Sequence, residues 1–251
     1  MRDAMGGVLA LVLLVWLVGC TVRVYSPPSG TFQVESSASL GKGQSSVRGD
    51  IFWGGEMFGP TVVSYRVSAA HGLTDKLDLS LAPALIRIVD HSSGGRENRN
   101  IYAARAGIKY APVPHFALVG GLGGGGSAGG GFLSPDLGFI AAYDNPYVIP
   151  FFALRGLLSA PVNAKVVRFT TDDDADSSDQ DNERDVYTIA PRFTWGWQTS
   201  LGLRALLARP GQLRALPALA CAIGFTDLYD KRHGANNATY SGVSCAVDVT
   251  F

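Results

Sequence analysis

Apolar and polar side chains alternate with period two along most of the chain after residue 46. In residues 187–198, Tyr187, Ile189, Pro191, Phe193, Trp195 and Trp197 fall on one face of an extended chain. Thr188, Ala190, Arg192, Thr194, Gly196 and Gln198 fall on the other. No helix segregates these two sets, because only a strand sends alternate side chains to opposite sides. Val63, Tyr65 and Val67 oppose Ser64, Arg66 and Ser68 in the same way, and Tyr102, Ala104, Ala106, Ile108 and Tyr110 oppose Ala103, Arg105, Gly107 and Lys109. Near the C-terminus Val243, Cys245, Val247, Val249 and Phe251 oppose Ser244, Ala246, Asp248 and Thr250.

Continued along the chain, this periodicity predicts about ten strands, at 47–55, 60–70, 77–89, 101–111, 116–123, 131–143, 148–159, 186–198, 213–226 and 238–251. The fifth is the least regular, because it is so rich in glycine. Most approach the ~9–11 residues that a tilted strand needs to cross a bilayer. Short connections at 71–76, 112–115 and 144–147 alternate with glycine-rich or polar ones at 90–100, 124–130, 160–185 and 227–237. Outer-membrane barrels show this asymmetry between periplasmic turns and external loops. The segment 199–212 breaks the alternation: a short turn is expected there, yet it is longer and partly apolar, and it reads either as a periplasmic helical turn or as an extension of the two strands beside it. An even strand number places both ends of the barrel on the periplasmic side.

Composition narrows the class. The 251 residues carry no net charge and only 17% are charged, against roughly a quarter in soluble domains. Neutrality offers no basic surplus for nucleic acid. After residue 18 no run approaches the ~20 apolar residues of a membrane helix.

The ends of the chain carry resemblances. An apolar run from Val8 to Val18 has the length of a signal h-region, and it ends in Leu17-Val18-Gly19-Cys20. That tetrapeptide resembles the lipobox of bacterial lipoproteins. The resemblance implies cleavage before Cys20 and acylation of that cysteine, with Thr21 after it favouring the outer membrane. The organisation expected is a signal peptide over 1–19, a lipidated periplasmic linker over 20–46 and a barrel over 47–251. The alternating strand that ends at Phe251 resembles the C-terminal signature recognised by barrel-assembly machinery. The phrase Gly72-Leu73-Thr74-Asp75-Lys76-Leu77-Asp78-Leu79 is similar to turn-and-strand phrases of such proteins. Over most of its length the chain resembles small outer-membrane β-barrel proteins.

The expected fold is therefore all-β, an antiparallel up-and-down transmembrane barrel of about ten strands, with eight as the alternative. A soluble β-sandwich lipoprotein is the structural competitor, since it too alternates apolar with polar. Aromatic residues near strand ends (Tyr102, Tyr110, Tyr143, Trp195, Trp197) favour the barrel. So does a polar face made largely of Gly, Ala, Ser and Thr, which suits a narrow lumen.

If the apolar face meets lipid, the lumen is lined by Arg48, Asp50, Arg66, Asp78, Arg105, Lys109, Asp136, Arg155, Arg192 and Asp248. Charges away from bulk water need partners, and the mixture of signs supplies them. A barrel near eight strands is just filled by its own side chains. A salt-bridged, filled lumen with a structural or surface-interaction role is the first expectation. A narrow, mildly anion-selective pore is the second, because basic residues outnumber acidic ones in this set. Cys221 and Cys245 share the outward face of the last two strands. In an oxidising compartment they form either a disulfide or two unlinked thiols.

Chemistry is sparse. His71 and His115 sit in turns and His91 in a loop. His233-Gly234-Ala235-Asn236-Asn237 is faintly similar to the His-x-Ser-Asn motif of barrel lipid A deacylases, but Ala235 stands where the serine nucleophile is required. No Cys/His spacing suggests a metal. The run Gly120–Gly131 lacks the strand–turn–helix setting of a dinucleotide fingerprint. The acidic stretch Thr171-Asp172-Asp173-Asp174-Ala175-Asp176, continuing to Asp179, Asp181 and Glu183, reads as a solvated external loop and lacks calcium-loop spacing. No enzyme activity and no cofactor are expected. The expected partners are outer-membrane lipid and the assembly machinery.

Overall fold

The computed structural model describes residues 28, 30–32, 34–55, 61–89, 98–127, 129–143, 145, 147–165, 167–170, 186–189, 192–207, 215–230 and 237–251. Among the described residues twelve strands are formed: β1 (Ser45–Gly55), β2 (Thr61–Gly72), β3 (Leu77–Val89), β4 (Asn98–Val113), β5 (Phe116–Ser127), β6 (Gly130–Ala142), β7 (Val148–Val162), β8 (Val167–Thr170), β9 (Val186–Ile189), β10 (Thr194–Leu206), β11 (Leu216–Asp230) and β12 (Asn237–Thr250). Ten of them close into one antiparallel barrel, in the order β1-β12-β11-β10-β7-β6-β5-β4-β3-β2. Closure pairs β1 with β12 from Ser46↔Thr250 to Gly55↔Ser241 and leaves no free sheet edge. The ten-stranded all-β barrel expected from the periodicity is the fold observed.

Two rims follow from this topology. β1 begins and β12 ends at what we call the terminal rim. Connections there span 4, 2, 5 and 9 residues, whereas those at the far rim span 5, 8, 2, 31 and 6. The long connection is not a simple loop, since β8 and β9 pair as a separate two-stranded sheet within it.

Three expected boundaries are corrected. The period-two run at 186–198 is divided: 186–189 belongs to the small hairpin, and the barrel strand starts at Thr194. That strand then runs through to Leu206, so most of the anomalous segment 199–212 is barrel wall. The glycine-rich stretch expected to loop at 124–130 is also wall, leaving two residues between β5 and β6. The missed wall at 124–130 has a plain cause. Small residues blur the alternation of polarity, while backbone pairing, which closes the sheet, is indifferent to side-chain size.

The faces separate cleanly. Inward positions of β2 (Val62, Ser64, Arg66) are buried while Tyr65 and Val67 are exposed. Leu137, at 71% exposure, and Ile51, Trp53, Leu201, Ile223 and Val247 are among many large apolar side chains on the outside. Aromatic rings gather near both rims. Trp195 stacks on Tyr229 at 4.4 Å, and Trp197 meets Phe225 edge-on at 5.2 Å, towards the far rim. Phe116, Phe139 and Phe152 form a chain of rings 5.7 and 6.0 Å apart towards the terminal rim. Cys221 and Cys245 are directly paired in the β11–β12 register, 4.1 Å apart at Cα, and are disulfide-bonded on the outward face. Of the two states left open by the sequence, the bonded one is observed.

Candidate functional site: a lumen filled by its own chain

The inward face carries its charges in two geometries. In the first, partners are register neighbours on adjacent strands. Arg66 forks onto Asp50, Nε to Oδ2 at 2.9 Å and Nη2 to Oδ1 at 2.7 Å. Lys109 lies 3.0 Å from Asp78, and Arg48 lies 3.6 Å from Asp248. In the second geometry an arginine reaches over an intervening strand. Arg105 on β4 forks onto Asp136 on β6, at 2.5 and 2.6 Å, across β5. Arg204 on β10 forks onto Asp248 on β12, at 3.1 and 2.7 Å, across β11.

Small side chains make these long reaches feasible. Ala218 and Ala220 are the inward residues of β11 beneath the Arg204–Asp248 pair. Gly107 and Gly121 lie beneath Arg105, and a Cβ at either would overlap its guanidinium. Bidentate arginine–carboxylate forks are the strong form of ion pair. Their burial is costly, so each is tolerated because its donors and acceptors are matched.

The largest feature of the lumen is the chain itself. Residues 30–32 and 34–40, expected as part of a periplasmic linker, run inside the barrel. Phe32 and Val34 are 2% exposed and Ser37 is 0% exposed. Inward residues from around the whole wall hold this segment. Gln198 of β10 donates to the Gly30 carbonyl at 2.9 Å. Arg66 of β2 donates to the carbonyls of Thr31 and Phe32 at 3.2 and 3.4 Å. Arg48 of β1 donates to the Val34 carbonyl at 2.5 Å, and Lys109 of β4 donates to the Ala38 carbonyl at 2.7 Å.

Side chains of the segment add further contacts. Glu35 pairs with Arg155 of β7 at 3.4 Å. Ser37 donates to the Pro114 carbonyl at 2.8 Å. Ser39 donates to Asp78 at 2.6 Å, and the Leu40 amide donates to the same carboxylate. Phe32 packs edge-on against Phe52 at 5.1 Å. Arg48, Arg66 and Lys109 thus each serve both a carboxylate on the wall and the backbone of the segment. Beside the segment remains a cavity of about 60 Å3 lined by Glu35, Arg48, Asp50, Arg66, Asp78 and Lys109, among others. It has room for a few waters.

Of the ten residues expected to line the lumen, nine are brought together there: Arg48, Asp50, Arg66, Asp78, Arg105, Lys109, Asp136, Arg155 and Asp248. Arg192 is the correction. It precedes β10 and is exposed. The reason is the same division of the 186–198 run. Arg204 takes the corresponding role, and it was missed because 199–212 was left outside the expected strand spans. Glu35 was missed because a Ser-rich stretch gives little period-two signal. Its trace is the spacing of Phe32 and Val34, two apolar residues in a polar segment. With Glu35 and Arg204 included, six cations face five anions among these lumen groups, so the basic excess that favoured anion selectivity falls from two to one. His91, His233, the acidic run 171–183 and the lipobox Leu17-Val18-Gly19-Cys20 lie outside the described residues. Among the described residues no cluster of His, Cys, Asp or Glu has metal-binding geometry.

No protein-family model matches the chain, and comparison with curated proteins finds no match. Solved outer-membrane barrels are similar at low identity. The β domain of the Bordetella autotransporter BrkA aligns over 83% of this chain and 98% of its own, at 11% identity and a TM-score of 0.47. The outer-membrane protein OprG of Pseudomonas aeruginosa aligns over 86% of this chain and 99% of its own, at 10% identity and a TM-score of 0.34. These are likenesses of barrel shape and say nothing about activity.

Proposed function

We propose that this chain is a bacterial outer-membrane barrel with a structural or surface-presenting role, held closed by its own residues 30–40 and tethered by an acylated Cys20. The outward face supports membrane insertion. A monomer in water rarely exposes apolar patches beyond a few hundred Å2, yet here nearly every outward strand position is apolar and rings gather at both rims. Lipid satisfies that face at no desolvation cost. The terminal rim, with the shorter connections, faces the periplasm in this reading. The assembly machinery and outer-membrane lipid are the partners it requires.

The observation that carries the role is the filled lumen. An open pore needs a continuous water path, and here the path is occupied by a segment bonded to β1, β2, β3, β4, β7 and β10. Planar-bilayer conductance of the full chain tests it. The wild-type protein is expected to be silent, and a variant with residues 30–40 replaced by Gly and Ser is expected to conduct. Steady conductance by the wild type would overturn the closed-barrel reading and favour a narrow pore for small solutes.

A further inference from the structure

The segment inside the lumen has a direction, and that direction decides where the N-terminus goes. Ser39 and Leu40 contact Asp78, the second residue of β3 from the terminal rim. Glu35 meets Arg155, near the middle of β7. Phe32 meets Phe52, three residues from the far end of β1. Gly30 meets Gln198, only four residues from the far end of β10. Read from residue 40 back to residue 30, the chain climbs from the terminal rim towards the far rim.

We infer that the barrel threads its own N-terminus through the membrane, so that the chain ahead of Pro28 leaves by the far rim and Cys20 is displayed at the outer surface. This rests on the outer-membrane reading above, and it replaces the expectation of a lipid on the periplasmic side. Four strand residues at ~3.3 Å each leave about 13 Å of tilted wall above Gln198. The ten residues from Gly30 back to Cys20 can span about 33 Å. Cys20 therefore clears the far rim with length to spare. The opposite route requires the chain to turn back and descend beside itself. Phe32, Val34 and Ser37 are enclosed on all sides, and the cavity of about 60 Å3 beside the segment has room for a few waters, too little for a second strand. Acyl chains on Cys20 would then enter the outer leaflet, with the barrel wall as the conduit and the lumen ion pairs as the clamp on the threaded segment.

Labelling in intact cells tests this, with variants that each carry one introduced cysteine while Cys221 and Cys245 stay disulfide-bonded. The reagent is a polyethylene-glycol maleimide too large for porins, read as a mobility shift. Ser26→Cys reports on the chain ahead of the lumen, Lys42→Cys on the terminal rim and Ser178→Cys on the long far-rim connection. Ser26→Cys and Ser178→Cys are expected to shift fully in intact cells, and Lys42→Cys only after the outer membrane is permeabilised. Labelling of Ser26→Cys only after permeabilisation, with Ser178→Cys labelled outside, would overturn threading while leaving the barrel standing. Labelling of Lys42→Cys in intact cells would overturn the orientation and threading with it. Loss of heat-modifiable mobility in the wild-type chain would instead remove the membrane barrel on which the inference rests.

Discussion

Arg105 and Asp136 sit on strands that do not touch, yet their side chains join through two hydrogen bonds of 2.5 and 2.6 Å over the backbone of β5. Gly121, the register partner of Asp136, lies directly under the guanidinium. The pair therefore ties three strands together, and its geometry depends on a residue that carries no charge.

Removing one partner leaves a buried charge with fewer contacts. Arg105→Met is expected to destabilise the barrel by about 3–5 kcal/mol, with Arg155, 3.9 Å from Asp136, as the remaining cation nearby. The double variant Arg105→Met with Asp136→Leu is expected to recover much of that loss. Gly121→Ala changes no charge but forces the guanidinium aside, and about 1–3 kcal/mol is expected. Urea unfolding in lipid vesicles measures all three. A neutral Gly121→Ala would show that the long fork does not need the gap beneath it.

The outward face gives a sharper contrast. Ile223 is midway along β11 and 61% exposed. In water, Ile223→Arg would cost little, as most surface substitutions do. At the bilayer midplane the same change costs ~2–4 kcal/mol. Leu73→Arg, in the short β2–β3 connection, is the control and should cost well under half as much. Equal, small effects at both positions would mean that the exposed apolar face is not in lipid.

Much of this was readable from the chain alone. Alternation reports the two faces wherever large apolar residues interleave with polar ones, as in Tyr65–Arg66–Val67 or Cys245–Ala246–Val247–Asp248. It goes silent at Gly123–Gly126, where both faces are small, and there a strand end was misplaced. The long forks are hidden for another reason. Each arginine reaches over small residues of other strands, Gly121 for Arg105 and Ala218 and Ala220 for Arg204, and periodicity reads each strand by itself. The threaded segment was illegible for a different reason. Half of its hydrogen bonds to the wall run from wall side chains to its backbone carbonyls, and a carbonyl accepts regardless of the residue that bears it.

The Cys221–Cys245 bond joins residues that the β11–β12 ladder already holds opposite each other. Its contribution is a limit on the unfolded chain, of about 3 kcal/mol for a loop of this size. The double variant Cys221→Ser with Cys245→Ser is expected to insert and close normally but to lose its heat-modifiable form at a lower temperature. Reductant should shift the wild type in the same direction and leave the variant unchanged. Failure of the variant to form a barrel at all would mean that the bond guides strand pairing, not only its persistence.

The segment and the wall should separate energetically. Phe32 packs against Phe52 and is enclosed, so Phe32→Ala removes apolar contact worth ~3–5 kcal/mol in a rigid core. The segment pairs with no strand of the ladder, so it is expected to detach as a unit while the ladder stays intact. The cost is then capped by the docking free energy of residues 30–40, and detachment replaces part of the loss by water entering the lumen. Phe32→Ala is accordingly expected to leave the urea midpoint of the barrel nearly unchanged and to produce brief conductance openings absent from the wild type. Glu35→Gln, which breaks the pair with Arg155, should act on the same equilibrium, and the double variant should be open for longer than either single one. A large drop in global stability without any openings would mean that the segment is an integral part of the core and cannot move separately from it.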